Sequence, residues 1–157
     1  MVVVDSYSAR SAAVIAGLDA ALVGKLAVHL DALRRARRQV WVAGNGGSAA
    51  NASHLTAHLQ EAGLRAHDLT ADQAMLTAMA NDHGYERALM LVLRKLASPG
   101  QALIVLSGSG DSSNVVLALA EAGRLGMLRL GLLGMGGGMA ARMCDLALVV
   151  DSSEYGP

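Results

Sequence analysis

The sequence predicts an α/β fold in which a parallel sheet is covered by helices on both faces. Three observations carry that expectation. Short apolar runs alternate with longer stretches whose apolar residues recur every three to four positions, the pattern of strands alternating with crossover helices. The run Ala-Leu-Ile-Val-Leu at 102–106 contains no polar residue, as a strand buried on both faces requires. Two of the strands, at 40–43 and 102–106, break into Gly, Ser and Asn and then restart with helical spacing.

Taken in order, residues 8–38 show helical periodicity through Val14, Leu18, Leu22, Leu26 and Leu33, as one long helix or two joined near Gly24. Residues 40–43 form the first strand and 44–47 a loop, with Ser48 placed to cap a helix running to about residue 60. A second strand fits 64–69. Thr70 or Asp72 can cap the next helix, which Asn81-Asp82-His83-Gly84 breaks and 85–96 resumes. Ser98-Pro99-Gly100 is a turn before the strand at 102–106. After the loop 107–112 come a helix at 113–124, a strand at 128–133, a short helix to about residue 144 and a last strand at 145–150. No linker, repeat or low-complexity segment divides the chain, so residues 1–157 read as a single domain.

Composition narrows the functional classes. With 157 residues, 53% of them hydrophobic, one domain can bury a sizeable core. Phe is absent and Trp occurs once, which leaves packing to Ala, Leu, Val and Met. Thirteen basic residues balance thirteen acidic ones, so electrostatics favour neither nucleic acid nor an anionic membrane as a partner. The cluster Arg34, Arg35, Arg37 and Arg38 reads as a solvated helix end. Cys144 is the only cysteine and reads as a small buried hydrophobe; without an internal disulfide, a reducing compartment is expected. No stretch resembles a signal peptide or a membrane span, so the expected location is the cytoplasm.

The loops carry the chemistry. Gly44-Asn45-Gly46-Gly47-Ser48 fails the dinucleotide spacing, because Ala49 stands where a third glycine belongs, and no Gly-Lys-Ser/Thr follows. A nucleotide cofactor is therefore not expected. Ser107-Gly108-Ser109-Gly110-Asp111-Ser112-Ser113 concentrates hydroxyls at a helix start. Hydroxyls, backbone amides and a helix N-terminus together suit a dianionic phosphate. Two such loops point to a phosphorylated ligand with a second polar end. For the third loop, Gly134 to Gly138, close backbone packing explains the glycines about as well as ligand contact does.

In order along the chain stand Gly44-Asn45-Gly46-Gly47-Ser48 with His54 following, Ala80-Asn81-Asp82-His83-Gly84-Tyr85, Ser107-Gly108-Ser109-Gly110-Asp111-Ser112-Ser113-Asn114-Val115, Ala122 to Met127, Gly136-Gly137-Gly138 and Cys144-Asp145. This combination resembles the sugar isomerase (SIS) domain family, most closely its phosphoheptose isomerase branch. The resemblance implies a three-layer α/β/α sandwich with a five-stranded parallel sheet. It also implies a homotetramer that shares active sites between subunits, with the N-terminal helix in the interface. By matching position, Ser48, Ser107, Ser109 and Ser112 would contact the sugar phosphate, and Asn45 and Asp82 the sugar hydroxyls. Gly46 and Gly47 belong to the same binding loop. Gly108 stands where the family usually has Thr, so a backbone amide must serve there.

Aldose–ketose isomerisation of a sedoheptulose 7-phosphate-like sugar runs through an enediol and needs a base within reach of C1 and C2. The family carries a glutamate four residues after the helix histidine; here that position is His58. The family's second catalytic group, a histidine on a C-terminal helix, has no counterpart in residues 1–157. His54 and His58 at i and i+4 share a helix face and could together grip zinc. Alternatively His58 alone acts as the base, or the pair simply faces solvent or a neighbouring subunit. Glu61 is expected to point away. His67 reads as a partly buried strand histidine, His83 as a turn residue, and His29 as a surface or interface residue. Beside the isomerase stand two other readings: a non-catalytic phosphosugar-binding regulatory module and, weaker, a purely structural oligomerisation unit.

Overall fold

The computed structural model describes residues 2–150 and 152. Helices α1 (Val2–Ala16) and α2 (Ala20–Arg35) precede β1 (Gln39–Ala43), α3 (Gly47–Glu61) and β2 (Arg65–Asp68). Then follow α4 (Gln73–His83), α5 (Tyr85–Leu96), β3 (Ala102–Ser107), α6 (Ser113–Arg124) and β4 (Leu128–Leu133). A 3₁₀ turn at Met135–Gly137, α7 (Gly138–Met143) and β5 (Leu146–Val149) complete the order. The strands form one parallel sheet in the order β2-β1-β3-β4-β5. The α/β/α sandwich with five parallel strands is therefore as expected, and the expected spans 85–96, 113–124 and 128–133 coincide with α5, α6 and β4.

The period of two along each strand divides the core. Trp41, Ala43, Leu103 and Val105 pack with Met79, Leu89, Leu93, Val115 and Leu119 from α4, α5 and α6. Val40, Val42, Ala102, Ile104 and Leu130 pack on the opposite face with Leu26 and Leu33 of α2 and Ala52 and Leu59 of α3. Between α5 and α6 the buried Glu121 receives both Arg94 and Arg124, each with two charge-assisted hydrogen bonds. These arginines hold its carboxyl at about 2, well below the usual 4.5.

Four expectations need correction. The N-terminal stretch is two helices, and the break lies at Gly17-Leu18-Asp19 rather than near Gly24. There Asp19 Oδ1 accepts from the amides of Ala21 and Leu22 to cap α2, and the axes bend by 62°. A capping carboxylate decides the boundary, whereas Gly24 rides inside α2 with open space around it. Ser48 is not the cap of α3: Gly46 holds that position with φ 53°, and the Ser48 amide already donates to the Asn45 carbonyl. Asn81, Asp82 and His83 are the last turn of α4, and only Gly84, with φ 86°, interrupts the helix. His67 is exposed, because β2 is an edge strand, and it meets the Trp41 ring edge-on at 5.4 Å.

Among the described residues no single helix is long and apolar enough to cross a membrane. Arg34 and Arg35 both pair with Asp31 on the surface of α2, in keeping with a solvated helix end. Cys144 is half-buried against the core, and desolvation pushes its thiol up to about 11, which disfavours the thiolate.

Candidate functional site

Both Gly/Ser loops leave the carboxyl ends of neighbouring central strands, β1 and β3, where open parallel sheets bind ligands. The first turn is tight. A Cβ on Gly44 would lie 2.5 Å from the Ser48 carbonyl oxygen, so only glycine permits the chain to double back into α3. In the second loop, Ser107 Oγ accepts from the Gly110 amide at 3.0 Å and Ser109 Oγ from the Asp111 amide at 3.2 Å. Each serine thus shapes its own loop and keeps its hydroxyl proton for a further acceptor.

The third loop is a buttress. Asp111 Oδ1 accepts from the Met139 amide at 2.8 Å, and the Gly110 carbonyl accepts from Ala140. Gly110 meets the Gly137 carbonyl so closely that any Cβ there would overlap it. Close packing accounts for Gly137 and Gly138.

Together the loops enclose a cavity of about 100 Å³ lined by Asn45, Ser48, Leu106, Ser107, Gly108, Ser109 and Ser112. A larger cavity of about 350 Å³ adjoins it through Ser48, Leu106, Ser107 and Gly108 and extends past Asn51 to Gly134 and Met135. The starts of α3 and α6 carry no side-chain cap, and their positive ends suit an anion. Among the described residues no Lys or Arg lines either cavity, so charge compensation falls to hydroxyls and helix ends. Of the expected phosphate contacts, the structure brings all four serines and Gly108 together. Gly46 and Gly47 sit at the start of α3 beside them. Asp82 lines neither cavity; it is exposed at the end of α4, where its Oδ1 accepts from Asn81.

Asn45 is held by two residues to which the sequence alone assigns no role. Its Nδ2 donates to Asn114 Oδ1 and its Oδ1 accepts from Asn114 Nδ2, both at 2.8 Å. Tyr85 donates its hydroxyl to the same Asn45 Oδ1 at 2.9 Å. Asn114 is buried on α6. A polar residue one step inside an apolar helix was the available signal.

On α3, Asn51, His54 and His58 follow one face; Asn51 lines the larger cavity, and the two histidines lie exposed one and two turns further along the helix. The His54 and His58 Nε2 atoms lie 2.9 Å apart, with ring centroids at 4.5 Å. Glu61, expected to point away, reaches His58 Nδ1 with its Oε2 at 3.3 Å. A tetrahedral zinc holds its nitrogens about 3.3 Å apart for Zn–N of about 2.0–2.1 Å, so these two imidazoles would part by a few tenths of an ångström to supply half of such a set. Among the described residues no group of three or more His, Cys, Asp or Glu side chains converges on a common point.

Comparison with known proteins identifies the family and the fold. The SIS domain family model matches residues 4–134. A phosphoheptose isomerase of a Nitratiruptor species is 40% identical over 133 residues, covering 81% of this chain and 71% of that protein. One from Nitratidesulfovibrio vulgaris is 42% identical over 135 residues, covering 82% and 64%. The chain thus spans 64% to 71% of the length of these two curated relatives. Among solved structures, a phosphoheptose isomerase from Neisseria gonorrhoeae superposes with TM-score 0.92 at 30% identity, covering 97% of this chain and 86% of that one.

Proposed function

Since the chain belongs to the SIS domain family, we propose that it isomerises a phosphorylated sugar of the sedoheptulose 7-phosphate type between ketose and aldose. The observation that carries this reading is the cavity of four serines between two uncapped helix starts. Such a site takes a phosphate monoester and leaves the neighbouring cavity for the carbon chain. Similarity to proteins named phosphoheptose isomerase favours the enzyme over a regulatory binding module.

Ser48, Ser107, Ser109 and Ser112, with the backbone of Gly46, Gly47 and Gly108, hold the phosphate. Asn45 meets sugar oxygens; Asp82, exposed at the end of α4 outside both cavities, takes no part in this reading. His54 lies six residues along α3 from Ser48, about 9 Å of helix axis at ~1.5 Å per residue. An extended sugar anchored at Ser48 therefore directs its C1–C2 end toward the histidines. His58 Nε2 takes the proton from C1, the enediol forms, and the proton returns to C2 while the hydroxyl hydrogen moves from O1 to O2. Glu61 beside Nδ1 favours the tautomer that leaves Nε2 unprotonated.

The same Nε2 atoms of His54 and His58 are the candidate zinc ligands; zinc, when bound, would polarise the sugar oxygens. The two roles exclude each other at His58, since one lone pair serves both. Exposed Val4, Tyr7, Ile15, Val23 and Val28 on α1 and α2 suit burial against further copies of the chain, in keeping with a homotetramer. The lone Cys144 fits a cytoplasmic setting.

The test is direct. Purified protein incubated with sedoheptulose 7-phosphate, with and without zinc, should form the aldose. Ligand-induced stabilisation without turnover would instead favour the binding module.

A further inference from the structure

The Asn45 amide can meet a ligand in only one way, and a residue outside the cavity sets that way. Both lone pairs of Asn45 Oδ1 are taken, one by Asn114 Nδ2 and one by the Tyr85 hydroxyl. One of the two Nδ2 hydrogens is given to Asn114 Oδ1. A single N–H donor remains.

Taken alone, a reciprocal pair of amides has no preferred sense, because exchanging oxygen and nitrogen in both partners restores the same two bonds. Here the Val115 backbone amide breaks the symmetry. It donates to Asn114 Oδ1 at 3.0 Å, and a backbone N–H can only donate. Asn114 Oδ1 is therefore the oxygen, Asn45 Nδ2 must face it, and Asn45 Oδ1 must face Asn114 Nδ2. The Tyr85 hydroxyl then completes the Asn45 oxygen from the α4–α5 junction. Burial of Asn114 raises the cost of any arrangement that leaves one of these groups unpaired.

We propose that Asn114 and Tyr85 are positioning residues that lock Asn45 as a one-donor, no-acceptor group, so that the site selects an acceptor oxygen on the sugar next to the phosphate. This rests on the phosphosugar reading above and names a polarity requirement for the carbon chain. The donor faces a carbonyl oxygen or the lone pair of a hydroxyl. A sugar with an amine or a methyl group at that position leaves the N–H unpaired and binds less well.

Asn114→Asp keeps the shape but puts a second acceptor against Asn45 Oδ1, which expels the Asn45 side chain from its lock. Tyr85→Phe removes one hydrogen bond from a half-exposed residue. Calorimetric titration with sedoheptulose 7-phosphate and, separately, with inorganic phosphate separates positioning from folding. Asn114→Asp should weaken sugar-phosphate binding about 30-fold and Tyr85→Phe about fivefold, with inorganic phosphate affinity unchanged in both. Equal weakening of both ligands would mean a structural role and overturn the inference, as would unchanged sugar-phosphate affinity in both variants. Should Asn114→Asp fail to fold, Tyr85→Phe decides alone. Wild-type protein that binds no sugar phosphate would overturn the proposed function itself.

Discussion

His54 and His58 point their Nε2 atoms at each other across 2.9 Å on an exposed face of α3, one turn past the wall of the sugar-sized cavity. Two neutral imidazoles at that distance share one hydrogen, so one ring donates and the other accepts. With Glu61 on its far nitrogen, His58 is the acceptor, so it releases the His54 hydrogen bond before its lone pair takes a proton from the sugar. Replacing His58 with Gln should lower kcat by about 10²–10⁴ with little change in KM, as loss of a general base does. In the same variant, calorimetry should show loss of zinc binding if the pair holds metal. A His58→Gln protein of wild-type activity would sink the assignment of this residue.

Ser107 and Ser109 combine loop shaping with anion contact. Their conversion to Ala together should weaken sugar-phosphate binding by a few kcal/mol, given ~1.5–3 kcal/mol for each hydrogen bond to a charged group. The effect should appear equally for inorganic phosphate. That equality sets it apart from the Asn114 and Tyr85 variants. Titration calorimetry on the double variant supplies the check.

Glu121 makes acid stability a local question. Its carboxyl titrates at about 2 in the folded protein against 4.5 as the usual value. Stability from this group is therefore complete above pH 4.5 and is lost as pH falls from 4.5 toward 2. A shift of this size corresponds to ~3 kcal/mol at most, reduced to about 2 because both arginines keep half their surface in water. Glu121→Gln should flatten the melting temperature between pH 5 and pH 3 relative to wild type. Parallel curves for the two proteins would refute this account.

Two glycines should respond in opposite directions. Gly110 has φ 71° and its Cβ would overlap the Gly137 carbonyl, so Gly110→Ala should cost at least about 3 kcal/mol and distort the serine loop. Gly24 lies within α2 with nothing within 4 Å, so Gly24→Ala should stabilise by about 0.5–1 kcal/mol. Thermal denaturation of both variants tests the pair of signs.

Local chemistry determined much of this protein in advance. Apolar runs placed β3 and β4, helical spacing placed α5 and α6, and glycine-serine turns after apolar strands marked where a phosphate could sit. These signals span a few residues each, so a single stretch of chain carries them. The break between α1 and α2 is hard to locate from sequence because Asp19 competes with two glycines of similar local weight, and a carboxylate cap outweighs a merely permissive residue.

What folding alone decided are relations across long stretches of chain. Asn45 takes its polarity from Asn114, 69 residues away, and from Tyr85, 40 residues away. Glu121 draws its second arginine from another helix, and His67 is exposed because β2 lies at the sheet's edge. Periodicity tells a residue which side to face. Only the packed layers tell it whom it meets, because hydrogen-bond partners are chosen by distance in space and their strength by the water that packing removes.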